Sequence, residues 1–243
     1  MSVEAGPEAL GLRERAAAVS GRIEAAARRA GRDPRGVTLV AVSKTHPAAL
    51  VREARDAGLE DFGENRVQEA EAKVEELKAE APAVRWHLIG ALQANKARRA
   101  ARLFDLIHSV DSVALVERLE RLCAEDGRAT LDVLLQVDLA GEETKGGAGE
   151  RELPALAEAL KGCERVRCRG LMILPPFYDD AERVRPFFRR LRDLRDEWGA
   201  RGLFGGGAGE LSMGMSHDFE VAIEEGATMV RVGTAIFGAR AGR

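Results

Sequence analysis

The stretch VTLVAVSKTH, residues 37–46, is apolar as far as Ser43 and then presents a lysine, Lys44. A strand-end lysine in water is the commoner reading, because lysines are rarely buried. Held among apolar neighbours, the same amine loses hydration, its pKa falls, and it becomes a nucleophile able to form a Schiff base with a carbonyl. In MVRVGTAIFG (229–238), Arg231 precedes Gly233 and Thr234 and a short helical pattern. Backbone N–H groups of Gly233 and Thr234 at a helix start would suit an anion such as phosphate, and a plain glycine turn is the equally weighted alternative. In ELSMGMSHDFEVAIEEG (210–226), Ser212, Gly214 and Ser216 add small donors, with Ser216 or Asp218 as a helix cap. Met213 and Met215 read as core filler or as soft walls against a flat ring. Asn65, in FGENRVQE, falls at a strand-to-helix junction, where capping is the ordinary role and facing a site a second one.

Other chemistry is less supported. His87 in RWHLIG reads as alternating within a strand, and His108 with Asp111 in HSVD as a polar turn. The four histidines show neither HxxxH nor HExxH spacing, so a dedicated zinc site is not expected. Cys123, Cys163 and Cys168 are sparse, odd in number and without a CxxC, which argues against a disulfide framework and for a reducing compartment. The net charge of -3 is spread along the chain, leaving no basic footprint for nucleic acid and no polybasic arm for a membrane. The start, MSVEAGPEALGLRER, lacks a basic n-region and an apolar h-region, so a cytoplasmic protein is expected.

The elements that must position these residues follow from periodicity. Leu12, Ala16, Val19, Ile23 and Ala26 recur at helical spacing until Gly31 and Pro34 stop the pattern, predicting a helix over about 8–30 before any strand. Short apolar runs then alternate with helical patterns. Strands are predicted at 37–43, 59–63, 84–90, 103–110, 131–139, 166–174, 210–214 and 228–233. Helices are predicted at 47–57, 65–79, 93–101, 112–125, 150–161, 180–199 and 217–225, with Pro186 in the first turn of the sixth. The glycines of 202–209 lack GxGxxG spacing and serve chain flexibility.

Eight βα repeats without a long linker predict an α/β fold, a single (β/α)8 TIM barrel with an extra N-terminal helix, as one domain over 1–243. Its barrel spans about 37–238, and an open doubly wound sheet is the alternative. In a barrel the strand C-termini share one mouth. That gathers Ser43, Lys44, Glu64, Asn65, Gly90, Gln93, Ser109, Asp111, Asp138 and Met172 with the 212–216 and 231–234 segments.

The motifs VAVSKTHP, FGENRVQE, WHLIGALQANK, HSVDS, QVDLAGEETKGG, GLMILPP and LSMGMSHDFEVAIEEGATMVRVGTAIFG occur in that order. Together they closely resemble the pyridoxal phosphate homeostasis protein family, over about Val37 to Gly238. The resemblance implies a barrel like the alanine racemase N-terminal domain that binds pyridoxal 5'-phosphate (PLP) without a demonstrated catalytic activity of its own. It implies that Lys44 holds PLP as a Schiff base through C4'. Arg231 would face the pyridine nitrogen, and because a guanidinium gives up its proton reluctantly, the ring would be a weaker electron sink. Ser216, Gly233 and Thr234 match the phosphate cradle, and Asn65, Met213 and Met215 lie near the ring. Three positions depart from the family pattern: Arg66 where an aromatic is common, Asp138 where Asn is usual, and His46 where Lys is frequent.

The implied function is intracellular PLP homeostasis, with PLP and apo PLP-dependent enzymes as partners, no nucleic acid, no membrane, and a monomer. The alternative is a racemase- or decarboxylase-like PLP enzyme, and a third reading is a PLP-free Schiff-base aldolase. Full racemases of this fold add a second β-domain bearing a catalytic tyrosine, not expected in a sequence ending five residues after IFG. The single tyrosine, Tyr178, reads as a surface-loop residue.

Overall fold

The computed structural model describes residues 10–78, 84–142 and 145–238. Helix α1 (Leu12–Arg29) comes first, and its buried face is Leu12, Ala16, Val19, Ile23, Ala26 and Ala27, the predicted stripe with one addition. Gly31 leaves the helix at φ 67°, a left-handed conformation that glycine adopts without steric cost. The start predicted at 8–9 lies outside the described residues.

Eight βα units follow. The strands are β1 (Thr38–Val42), β2 (Asp61–Glu64), β3 (Arg85–Leu88), β4 (Leu106–Val110), β5 (Leu131–Gln136), β6 (Val166–Met172), β7 (Glu210–Ser212) and β8 (Met229–Val232). The helices are α2 (Ala48–Asp56), α3 (Val67–Leu77), α4 (Ala97–Leu103), α5 (Val113–Glu125), α6 (Leu153–Lys161), α7 (Arg185–Ala200), α8 (Phe219–Glu224) and α9 (Thr234–Phe237). Strands pair in parallel in sequence order and β8 returns to β1, which closes the barrel and rules out the open sheet. Strands end earlier than their apolar runs suggest: β5 stops at Gln136, because Val137 and Asp138 turn to bond with Ala148 instead of β6 alone.

The two faces of each strand enter different environments. Ala41, Phe62, Trp86, Ile107, Leu135, Leu171, Leu211 and Val230 point outward into one continuous apolar layer shared with the helices. Phe62, Phe104, Phe188 and Phe219 are fully buried, and each such side chain contributes about 1.5–3 kcal/mol of transfer free energy. Inside the barrel, Leu106, Leu134 and Met172 form a small separate apolar cluster with Leu174 and Met229 against it. The rest of the interior includes a file of polar side chains: Asp61, His87, His108, Ser212 and Arg231, all nearly or fully buried.

Helix α1 braces the side of the barrel where the chain closes. Arg22 bonds Glu220, Arg29 bonds Glu224, and Arg32 donates to the Ile223 carbonyl at 2.7 Å, all on α8. Arg15 donates to the Ile236 carbonyl of α9 at 2.7 Å. The extra helix is thereby tied to the segment that carries Gly233 and Thr234.

Candidate functional site

Lys44 lies two residues beyond Val42, at the C-terminal rim of the barrel, and is half-buried. Strand alternation turns Val40, which would meet a Cβ on Gly63, and then Val42 inward, and Lys44 sits in the turn that follows. The following residue, Thr45, has φ 68° and is the only non-glycine at positive φ among the described residues. For a β-branched residue that conformation is costly and persists only where surrounding contacts enforce it. The Thr45 N–H donates to Glu69 Oε1, and Lys73 Nζ donates to the Ser43 carbonyl at 2.7 Å and to Glu64 Oε1 at 2.5 Å. The Ser43 hydroxyl also donates to Glu64 Oε1 at 2.6 Å. A buried ion pair on the outer face of β1 and β2 therefore grips the backbone on both sides of Lys44. Burial raises the Glu64 carboxyl above its ordinary range, against the pull of Lys73 and Ser43.

Arg231 comes from β8, whose register sets it beside Val40 of β1. Its guanidinium donates to Ser212 Oγ at 2.6 Å and to the Ile173 carbonyl at 2.7 Å, both neutral acceptors. Burial pushes its pKa down to about 10, with Asp218 opposing, so it is still a cation at neutral pH.

Gly233 follows Arg231 at the start of α9. A Cβ there would sit 3.2 Å from the Val42 carbonyl, so β8 runs close against the end of β1. The Gly233 N–H donates to Ser216 Oγ at 3.3 Å, and the Gly233 carbonyl accepts from Ile236 and Phe237 at 2.9 Å each. The first N–H groups of a helix have no intrahelical acceptor, which leaves those of Thr234 and Ala235 for an outside one. His46 stacks on Phe237, ring centroids 5.1 Å apart, coupling the loop after Lys44 to α9. Lys44, Arg231, Ser216, Gly233 and Thr234 thus share one corner of the mouth, at the β8–β1 closure.

The remaining predicted residues divide. Asn65 is half-buried at the end of β2, but Arg66 is the N-cap position of α3 and makes no side-chain cap bond, so the capping role for Asn65 is not realised. Gly90 permits the approach of that segment, since a Cβ there would sit 2.4 Å from the Asn65 carbonyl oxygen. Met215 is half-buried in the loop after β7, and its N–H donates to Asp218 Oδ1 at 2.6 Å. Asp218, not Ser216, is the N-cap residue of α8. Met213 is fully buried in the outer apolar layer, because the alternation from Ser212 turns it away from the barrel interior; it does not reach the mouth.

Two sequence expectations need correction. His108 is not in a turn: it lies in β4 with no exposed surface, its Nδ1 2.9 Å from Ser212 Oγ and its Nε2 2.9 Å from His87 Nδ1. Tyr178 is half-buried against the core, with the Arg183 guanidinium 4.2 Å from its ring centroid. Of the departures, Arg66 is exposed, and Asp138 Oδ1 accepts from the N–H groups of Ala140 and Gly141, holding the loop after β5. Among the described residues no cluster of His, Cys, Asp and Glu is suited to a metal ion, and no helix is long and apolar enough to cross a membrane. Burial pushes the Cys163 and Cys168 thiols up to about 11 and about 12, away from nucleophilic chemistry.

Comparison with known proteins adds to this geometry. The family model described as "Alanine racemase, N-terminal domain" matches residues 15–241. A pyridoxal phosphate homeostasis protein of Pseudomonas aeruginosa is 48% identical over 229 residues, 94% of this chain and 96% of its own length. One of Aquifex aeolicus is 44% identical, covering 93% of this chain and 97% of its own. PipY of Synechococcus elongatus, solved with PLP bound, is 43% identical with a TM-score of 0.79, covering 94% of this chain and all of PipY. With the closed barrel and near-complete coverage in both directions, the chain belongs to the pyridoxal phosphate homeostasis protein family, built on the alanine racemase N-terminal domain.

Proposed function

We propose that this protein holds PLP reversibly through Lys44 and serves intracellular PLP homeostasis without a catalytic reaction of its own. The observation that carries the reading is the pairing, at one corner of the mouth, of a rim lysine with a buried arginine whose observed acceptors are neutral. The relatives named as PLP homeostasis proteins, and PipY with PLP bound, support the same ligand.

PLP, when bound, supplies an aldehyde that condenses with an amine to a Schiff base and water. The protein's own residues do the rest. The clamp of Lys73, Glu64 and Glu69 holds the backbone from which the Lys44 amine projects. Arg231 presents a fixed cation to the ring nitrogen, and a cation there disfavours a second positive charge on the ring. That arrangement suits keeping the cofactor more than using it as an electron sink. Ser216 and Thr234 would offer hydroxyls, and Thr234 and Ala235 backbone N–H groups, to the phosphate, with the Gly233 N–H holding Ser216 in place and Asn65 and Met215 beside the ring. A carrier must also keep the aldehyde from random amines, and one protein amine in a half-buried setting accomplishes that. On this reading the whole chain, 1–243, is one PLP-binding unit, a cytoplasmic monomer that yields PLP to apo PLP-dependent enzymes.

The test is spectroscopic. Purified protein with PLP is expected to show Schiff-base absorbance that disappears in Lys44→Ala. Amino-acid racemisation above background in the wild type would overturn the non-catalytic reading.

A further inference from the structure

The interior of a (β/α)8 barrel is ordinarily packed with layers of apolar side chains. Here one file of it is polar from the bottom to the mouth, and its members touch in series. Arg85 donates to Asp61 Oδ2 at 2.6 Å, and Asp61 Oδ1 lies 2.8 Å from His87 Nε2. His87 Nδ1 lies 2.9 Å from His108 Nε2, His108 Nδ1 lies 2.9 Å from Ser212 Oγ, and Arg231 donates to Ser212 Oγ at 2.6 Å. At the lower end an opening of about 270 Å³, lined by Asp61, Arg85, His87, Asp132 and Arg169 among others, lies at the N-terminal ends of the strands.

The chemistry of each group determines the direction of this series. A carboxylate only accepts, so His87 donates to Asp61 through Nε2–H. Arg231 only donates, so Ser212 Oγ accepts from it, and the hydroxyl proton needs an acceptor of its own. The one at hand is His108 Nδ1, since a buried hydroxyl left without a partner costs about 1–3 kcal/mol. His108 then carries its proton on Nε2 and gives that hydrogen bond to His87 Nδ1. Burial, with His87 and Arg231 nearby, holds the His108 imidazole well below its ordinary pKa, which agrees with a neutral ring. The Arg85 cation already balances Asp61, so a charged His87 is not required.

We propose that Asp61, His87, His108 and Ser212 form a directed hydrogen-bond chain along the barrel interior that positions Arg231 at the mouth, every link donating toward Asp61. A carboxylate in direct contact would draw the guanidinium onto itself. Here the guanidinium's acceptors are the Ser212 hydroxyl and the Ile173 carbonyl, Asp218 acts on it only through space, and its remaining N–H groups are left for a ligand. The four are positioning residues, and their relevance to PLP rests on the reading that Arg231 faces its ring.

The test is nitrogen-15 NMR of the labelled full-length protein, before and after adding PLP, with the absorbance spectrum recorded in parallel. The expected result is that His87 and His108 are both neutral with the proton on Nε2 at about pH 7.5. Asp61→Asn is expected to disturb the His87 tautomer, shift the absorbance maximum of bound PLP and weaken PLP binding by about 3- to 10-fold. An Nδ1–H tautomer at either ring, or a doubly protonated His87, overturns the chain; this outcome needs no variant to fold. An Asp61→Asn protein that is folded, with altered histidine signals but an unchanged PLP spectrum and affinity, overturns the positioning role. Absence of any Schiff-base chromophore in the wild type would remove the PLP reading, while the tautomers would still decide the chain.

Discussion

The Lys73 ammonium sits 2.5 Å from Glu64 Oε1 and 2.7 Å from the Ser43 carbonyl, with both charged side chains buried, directly behind Lys44. Removing one partner leaves an uncompensated buried charge, so Lys73→Met is expected to cost about 3–5 kcal/mol, whereas Lys73→Met with Glu64→Leu recovers most of it. Urea unfolding measures both. PLP affinity should stay reduced in the double variant, because the Ser43 carbonyl loses its Lys73 donor even when stability returns. Equal PLP affinity in the double variant and the wild type would show that the clamp is structural only.

The phosphate end is tested by Ser216→Ala with Thr234→Ala. Ser216 Oγ lies 3.3 Å from the Gly233 nitrogen and Thr234 is exposed, so neither change opens a core cavity. The melting temperature is expected to move little, and PLP is expected to dissociate about 10- to 100-fold more readily as two hydroxyl contacts to a charged group are lost. Gel filtration followed by assay of retained PLP reads this out.

His108 is buried neutral, and its pKa lies well below the ordinary value of 6.5. Between those two values the unfolded chain binds a proton that the folded protein does not, so stability rises with pH there. It is therefore fully present above about pH 6.5 and declines as pH falls, by up to about 1.4 kcal/mol per pH unit from this residue. Denaturant melts at several pH values should show that slope in the wild type. In His108→Gln the slope over the same window should be shallower, even though the variant is less stable overall.

Gly214 has φ 93°, and a Cβ there would lie 2.6 Å from Ala222 Cβ and 2.8 Å from Phe219 Cα. Its carbonyl accepts the Arg231 N–H at 2.9 Å. Gly214→Ala combines left-handed strain with a backbone clash and is expected to cost at least about 1–3 kcal/mol. Because the displaced carbonyl belongs to Arg231's own backbone bond, PLP retention should fall with it. A thermal melt within about 1 °C of the wild type would contradict this account.

Period and alternation made much of this protein legible. The α1 stripe, the order of eight strands, and Pro186 in the first turn of α7 all followed from residue spacing, because burial of one face per element depends only on local sequence. The apolar run is longer than β5 itself, since apolar content does not reveal where a ladder partner stops. The polar file inside the barrel was legible only in fragments. Asp61, His87, His108, Ser212 and Arg231 come from five strands, and within each one the residue is one polar position among few, with no partner nearby in the chain. Nothing local distinguishes that from a turn residue, so His108 reads as a turn in the sequence and stands in β4 in the fold.

By itself, then, the sequence determined the barrel, the extra helix and the family motifs that mark Lys44 and the 229–238 segment, because propensity and periodicity act over a few residues. Only the tertiary structure decided that β8 closes on β1, bringing Arg231 and Gly233 beside the lysine rim, and that Met213 faces away from it. It alone decided the grip of Lys73 and Glu69 on the Lys44 backbone and the passage from Asp61 to Arg231. Hydrogen bonds and buried charges join atoms that are close in space but far apart in the chain, and that proximity exists only once the barrel has closed.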